Sequence, residues 1–399
     1  LLRPDSRVPT VSFQGVFHTG RAVEKPENCG INILHASLLT KGTRNHPEGE
    51  FADRIESLGA NIRASAGNNT SIISSFCLQP DLLNILGLSG EALCAPTFEE
   101  GSIGREKEIQ RADLLESLQD PLKTSFQLLR ENLFGYHDYG LPRLGTEESL
   151  NRIDREMLEK HHQQFITRHN GVLAVFGDIN PEATIEWCEQ AFAGLPRGGK
   201  SEATVTELSE PVSSEITHYL DKEQTVIAIG YPGAHITSQD VPALEVIHEY
   251  CSNMAGPLFT RMREELGLAY YVNATQFLGF GKGLFAFYVG TAPDKAALAR
   301  EELLAQIEKL TQEGIPDAAL DHTKTSVLAG DALENQSNHS MAQVCALNTL
   351  FGLGPLHHLA HAEKIQTLSR TDIMKTAQKY FGRKPVVVSV GPGIHSDRV

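Results

Sequence analysis

The stretch from 195 to 215, "LPRGGKSEATVTELSEPVSSE", constrains this chain more than any other. It is rich in Pro, Gly, Ser, Thr and Glu, lacks an apolar period and reads as a linker. One order of elements precedes it, and a similar order begins again after it. In the first half, "VPTVSFQGVFH" (8–18) alternates as a half-buried strand. "PEGEFADRIESLGA" (47–60) sets Phe51, Ile55 and Leu58 at helical spacing, with Gly59 as a C-cap. Two strand-like runs follow, "NIRASAG" and "TSIISSFCL". A long helical stretch from 105 to 134 is interrupted at Asp120-Pro121. "GVLAVFGDINPEATIEWCEQAF" reads as a buried strand, a turn and a helix starting at Pro181.

In the second half a strand, "QTVIAIGYPG", precedes helices at 238–252 and 256–266. Then come the strands "LAYYVNATQF" and "GLFAFYVGT", helices at 293–313, 316–333 and 338–352, and a closing strand, "PVVVSVGPG". Strands and helices segregate into layers rather than alternating strictly, which predicts an α+β fold. The expected architecture is two similar sandwich domains in tandem, each an antiparallel-rich sheet with packed helices. Their expected bounds are 1–195 and 215–399, joined by a linker at 196–214.

Lys plus Arg number 35 and Asp plus Glu 50 among 399 residues, a net charge of −15. That balance argues against nucleic acid or an anionic membrane as partner. No apolar run reaches the roughly 18 residues of a membrane span. The chain opens on Leu1, so a cleaved leader would leave no trace. Bacterial periplasm and cytoplasm both remain open as the compartment. Cys29, Cys77, Cys94, Cys188, Cys251 and Cys345 are dispersed without a C-x-x-C, and are expected to be buried thiols rather than disulfides or metal ligands.

"GINILHASLLTKGT" (30–43), "IESLGANIRASAG", "FGDINPEA", "FAGLP", "GPLFTRMREELGLAYYV" and "GLFAFYVGT" together resemble the pitrilysin/insulinase zinc metallopeptidases, which include the mitochondrial processing peptidase. The resemblance covers nearly the whole chain and implies the metallohydrolase fold of that peptidase. In the family, the segment matching residues 30–43 carries the inverted zinc motif H-x-x-E-H. Its two His sit one turn apart on a helix face and share the metal, while the Glu serves as general base. The matching positions here are Ile33, Ala36 and Ser37. His35 lies two residues along from Ile33, a rotation of about 200°, so it faces elsewhere. The family's third ligand, a Glu on a later helix, matches Asp113 in "EKEIQRADLLESLQDP". The resemblance therefore implies no zinc in this chain and zinc in a partner.

Family members close their active site with two paired halves, and the half without zinc supplies an Arg and a Tyr seven residues apart. "RMREELGLAYYV" matches with Arg263 and Tyr270. Both are donors suited to a peptide carbonyl or a developing oxyanion. Tyr271 adjoins Tyr270, and on a strand the two face opposite sides.

Other features have blander readings. His357, His358 and His361 in "GPLHHLAHAE" offer an i,i+4 pair, read as solvated or capping histidines. "IHEYCSNM" is a near miss to H-E-x-x-H, ending on Ser252. "RASAGNNTS" (63–71) matches the edge strand on which family substrates add by backbone pairing. The function expected is the non-catalytic subunit, or half, of a two-part zinc peptidase, in a heterodimer with a zinc-bearing homologue and enclosing a peptide substrate. The alternatives are a family scaffold without catalytic role and a stand-alone peptide-binding protein.

Overall fold

The computed structural model describes residues 1–135, 138–199 and 214–392. Most of the expected linker, 200–213, lies outside the described residues. The first half contains β1 (Leu2–Pro4), β2 (Thr10–His18), α1 (Ile31–Leu38), α2 (Glu48–Ser57), β3 (Asn61–Ala66) and β4 (Thr70–Leu78). Then follow α3 (Leu82–Cys94), α4 (Glu100–Leu118), α5 (Pro121–Phe134), α6 (Glu147–Arg152), α7 (Arg155–Phe165), β5 (Gly171–Gly177) and α8 (Pro181–Ala191). The second half begins with β6 (Glu215–Tyr219), β7 (Thr225–Gly233) and α9 (Val241–Ser252). A π-helical turn, Phe259–Glu265, leads into β8 (Tyr271–Phe277) and β9 (Gly283–Thr291). It closes with α10 (Ala296–Glu313), α11 (Asp317–Glu334), α12 (Asn338–Leu350), α13 (His357–Thr367), α14 (Arg370–Phe381) and β10 (Val386–Gly391).

The local signals have local causes. Asp120 accepts from the Leu122 and Lys123 amides while Pro121 opens α5, which breaks the long helical stretch where the sequence broke it. Leu58-Gly59 and Leu266-Gly267 each end a helical turn, with Gly59 at φ +60 and Gly267 at φ +58. A Cβ at either would meet nothing within 4 Å, so the requirement is conformational rather than steric.

Each half supplies one five-stranded mixed sheet. The orders are β1-β5-β2-β4-β3 and β6-β10-β7-β9-β8, so adding five to each label converts one into the other. In both, the first and last strands of the half run parallel and the other pairs are antiparallel. One face of the first sheet packs Val11, Phe13 and Phe17 against Leu34, Leu38, Ile85 and Leu158. The matching face of the second packs Ile227, Ile229, Phe285 and Phe287 against Leu244, Leu303 and Phe381.

The other face of each sheet is covered by a helix from the other half of the chain. Among the described residues, 1–114, 141–199 and 332–358 form one compact unit. Residues 115–135, 138–140, 214–331 and 359–392 form the other. α12 lays Ala342, Cys345, Ala346 and Leu350 over Val16, Ala174 and Phe176 of the first sheet. α5 packs on β7 and β10 of the second. There Leu129 rests on Gly230, where a Cβ would come within 2.6 Å of the leucine side chain. A sheet covered on one face only would leave an apolar surface in water, and each sheet resolves this with a helix from across the linker.

Candidate functional site

The corner around α1 is built from buried polar groups. Gly30, at φ +89, precedes the helix, and the Glu24 carboxylate accepts from the Gly30 amide (3.0 Å), the Asn32 amide (3.0 Å) and Asn32 Nδ2 (2.9 Å). An acceptor at a helix N-terminus satisfies donors that the helix itself cannot. Burial raises the Glu24 carboxyl above its ordinary value, and these hydrogen bonds pull it the other way. Gln110 of α4 donates to the Gly30 carbonyl at 3.1 Å, which places α4 beside the start of α1.

His35 is fully buried and its Nε2 lies 2.9 Å from Nδ1 of His162. His162 Nε2 donates to the Leu93 carbonyl at 3.0 Å. That bond fixes the tautomer of a neutral His162: its Nδ1 accepts, so His35 Nε2 donates and His35 Nδ1 is left bare. Buried Nδ1 of His35 has no partner among the described residues, as this assignment requires. His161 Nε2 sits 3.2 Å from Asn32 Oδ1, which also accepts from Thr19 Oγ1 at 2.7 Å. Burial first, and then the neighbouring imidazoles, push His35 well below 6.5 and His161 down to about 3. Burial likewise lowers His162 to about 4. Sequence reading missed His161 and His162, whose "HHQQF" carries only a helical period.

On the other side of α1, Ile33 and Ser37 are half-buried and Ala36 is buried. Ser37 Oγ donates to the Leu34 carbonyl at 2.9 Å. Asp113 is exposed on α4. An isoleucine, an alanine and a back-bonded serine offer neither imidazole nor general base, so these residues do not fit zinc. Among the described residues, no three His, Cys, Asp or Glu side chains are placed to share a metal.

The second corner is a helix-to-strand junction. Met262, fully buried in the π-helical turn, accepts through its carbonyl from the amides of Leu268 (2.7 Å) and Ala269 (3.2 Å). Three side chains then hold carbonyls of the junction. Lys295 donates to Gly267 (2.9 Å), Thr291 to Leu268 (2.5 Å) and Arg263 Nη1 to Tyr270 (2.9 Å). The Arg263 guanidinium lies 5.1 Å from the Phe259 ring centre. Tyr270 donates its amide to Gly290 and is 57% exposed. Tyr271 turns the other way, toward Tyr288 and over Gly290, and burial pushes its phenol up to about 12. Tyr270 is therefore the tyrosine that presents its hydroxyl to solvent beside an exposed Arg263.

The remaining sequence candidates have ordinary surroundings. His361 pairs with Glu245 of α9. α9 ends at Ser252, whose hydroxyl bonds the Ala274 carbonyl at 3.3 Å, and His248 is lowered by burial. Among the described residues β3 pairs only with β4 and so forms an edge. All six cysteines are free thiols, four of them buried. Among the described residues no helix is long and apolar enough to cross a membrane.

Comparison with known proteins extends this reading. The model for insulinase (peptidase family M16) matches residues 2–147, and that for the peptidase M16 inactive domain matches 152–327. A Rickettsia bellii protein described as an uncharacterized zinc protease is 22% identical over 392 residues, covering 96% of this chain and 93% of that one. A Helicobacter pylori relative described as a non-peptidase homolog is 23% identical, covering 90% of this chain and 83% of its own. The fold matches the crystal structure of a peptidase M16 inactive domain from Pseudomonas fluorescens at a TM-score of 0.93 and 21% identity, over 99% of this chain and 96% of that one. With both halves matched in order, with the sheet repeated and the metal-motif frame intact from Gly30 to Thr43, the chain belongs to the insulinase, or peptidase M16, family.

Proposed function

We propose that this chain is the non-catalytic half of a two-part zinc metallopeptidase. It pairs with a homologous zinc-bearing subunit, helps enclose a peptide substrate, and presents Arg263 and Tyr270 to the partner's site. One contrast carries the reading. The positions that hold metal in the family are Ile33, Ala36 and Ser37, whereas Arg263 and Tyr270 stand exposed on a junction held by five hydrogen bonds through Met262, Lys295, Thr291 and Arg263. A rigid mount costs little reorganisation when donors meet a developing charge, which is where such donors contribute most. The guanidinium suits a substrate backbone carbonyl, and the phenol the same oxygen as its charge grows.

The test is peptide cleavage by the chain reconstituted with a partner that contains H-x-x-E-H. Loss of one oxyanion donor costs on the order of 10²–10³ in kcat, and Tyr270→Phe is expected near the lower figure. Arg263→Ala should lower kcat/KM, through KM if it chiefly binds ground-state backbone. Tyr271→Phe is the control. The reading fails if Tyr270→Phe and Arg263→Ala both leave kcat/KM within about twofold, and the scaffold reading then replaces it.

A further inference from the structure

The segment "FTRMREE" (259–265) sets two arginines two residues apart on a π-helical turn, and the turn gives them different company. The π geometry shows in the bond from the Leu266 amide to the Arg261 carbonyl, five residues back, at 3.2 Å. Such turns are rare and recur at functional sites. Arg261 is taken up by acids: its guanidinium pairs with Glu265 at 2.8 Å and with Glu302 at 3.0 Å. Arg263 has no carboxylate partner among the described residues. It is held instead by the Phe259 ring, four residues back, and by the Tyr270 carbonyl on Nη1. Phe259 is half-buried and packs against the core of the second unit, so the ring itself is anchored.

The two ways of holding a cation differ in what they leave over. A carboxylate accepts N–H groups from the guanidinium, whereas a ring attracts the cation as a whole through its quadrupole. With only Nη1 engaged by an acceptor, Arg263 keeps donors for another oxygen while its place is set. The Nη1 bond also ties Arg263 to the backbone of Tyr270, so the two exposed side chains share one mount. We infer that Phe259 is a positioning residue. It holds Arg263 without occupying its donors as an acid would, and through Arg263 it steadies Tyr270. The use of this mount in peptide cleavage rests on the function proposed above, and the mount itself does not.

Graded fluorination of the ring tests this. 4-Fluoro-, 3,5-difluoro- and 3,4,5-trifluorophenylalanine in place of Phe259 keep its shape and apolar character while drawing charge from its face, so a merely structural ring would not respond. On the full chain alone, nitrogen relaxation at Arg263 Nε, assigned by its loss in Arg263→Lys, reports how freely the guanidinium moves. The released population should grow along the series, by about two- to fivefold at its end. Phe259→Leu should release it at least as far, and Phe259→Tyr, which keeps a ring, should hold it. In the reconstituted pair, Phe259→Leu should lower kcat/KM and add nothing to the loss from Arg263→Ala. The fluorine series stands even if Phe259→Leu does not fold. A flat series, or full additivity of Phe259→Leu with Arg263→Ala, overturns the inference. A graded series with Tyr270→Phe and Arg263→Ala both cleaving normally overturns the proposed function instead and leaves the mount standing.

Discussion

The helix after the middle strand buries an apolar face in both units, and in the first a buried polar network holds it as well. In the first, α1 is fixed by Glu24, Asn32 and a cluster of buried imidazoles. In the second, α9 buries Ala243, Leu244, Val246, Ile247 and Cys251 and is fixed by apolar packing. The strand orders are the same, so topology does not decide this. A buried polar network is directional and depends on every member, whereas apolar packing tolerates exchange. One fold repeated within one chain thus holds one such helix with a cluster of three buried imidazoles and the other with a single lowered histidine, His248, beside its apolar face.

The largest expected difference follows from removing the network's acceptor. Glu24→Gln takes the carboxylate away from the Gly30 and Asn32 amides and Asn32 Nδ2, and turns an N–H toward donors that it once accepted from. Hydrogen bonds to a charged group contribute about 1.5–3 kcal/mol each, so weakening these three should cost about 3 kcal/mol or more, to be read from urea unfolding. A loss below about 1 kcal/mol would show that the carboxylate contributes no more than an exposed one.

Acid should distinguish the units almost as strongly. His161 and His162 have folded values near 3 and 4, below the ordinary 6.5, and His35 shifts the same way. The unfolded chain therefore binds more protons. The stability from burying neutral imidazoles is complete above pH 6.5 and is lost as pH falls toward 4. By pH 5 the loss is about 2 kcal/mol for each of His161 and His162. Glu24, raised by burial, opposes this only in the carboxylate range. Amide exchange should show α1 and α7 opening before α9 as pH drops. Equal acid sensitivity in α9 would remove the contrast.

A smaller effect tests the apolar packing of the second unit. Gly230→Ala would press a methyl against Leu129 of α5 and should cost about 1–3 kcal/mol of stability, independent of pH between 5 and 8. A neutral or stabilising result would mean that α5 shifts without cost, and the second unit would be less tightly fitted than Leu129 on Gly230 implies.

Much of this was legible in the sequence because its signals are local. The Leu-Gly turn ends, the Asp120-Pro121 break and the alternating strands each declare themselves within a few residues. The two outer parallel strands, β1 and β6, did not, since three to five residues carry too little period. Nor did the sequence say where α5 and α12 pack, because an apolar stripe tells a helix to bury itself without naming the sheet. The Arg263–Tyr270 pair was readable as a spacing, but which tyrosine faces outward depended on Gly290, nineteen residues beyond Tyr271. The imidazole cluster joins His35 to residues more than 120 positions away, a distance no local pattern reports.

The exchange of α5 and α12 has a further consequence while the chain is being made. The strands of the first sheet are complete once Gly177 has been synthesised, yet the helix that covers Val16, Ala174 and Phe176 ends at Leu350. At about 5–20 residues per second, the nascent sheet waits roughly 10–35 s with that face uncovered. Over that interval the ribosome-bound first half is a ligand for chaperones that capture apolar surface. Crosslinking on stalled nascent chains should show such capture for chains ending between 200 and 350 and its release once α12 has emerged. Equal capture before and after would mean that the apolar face finds cover elsewhere.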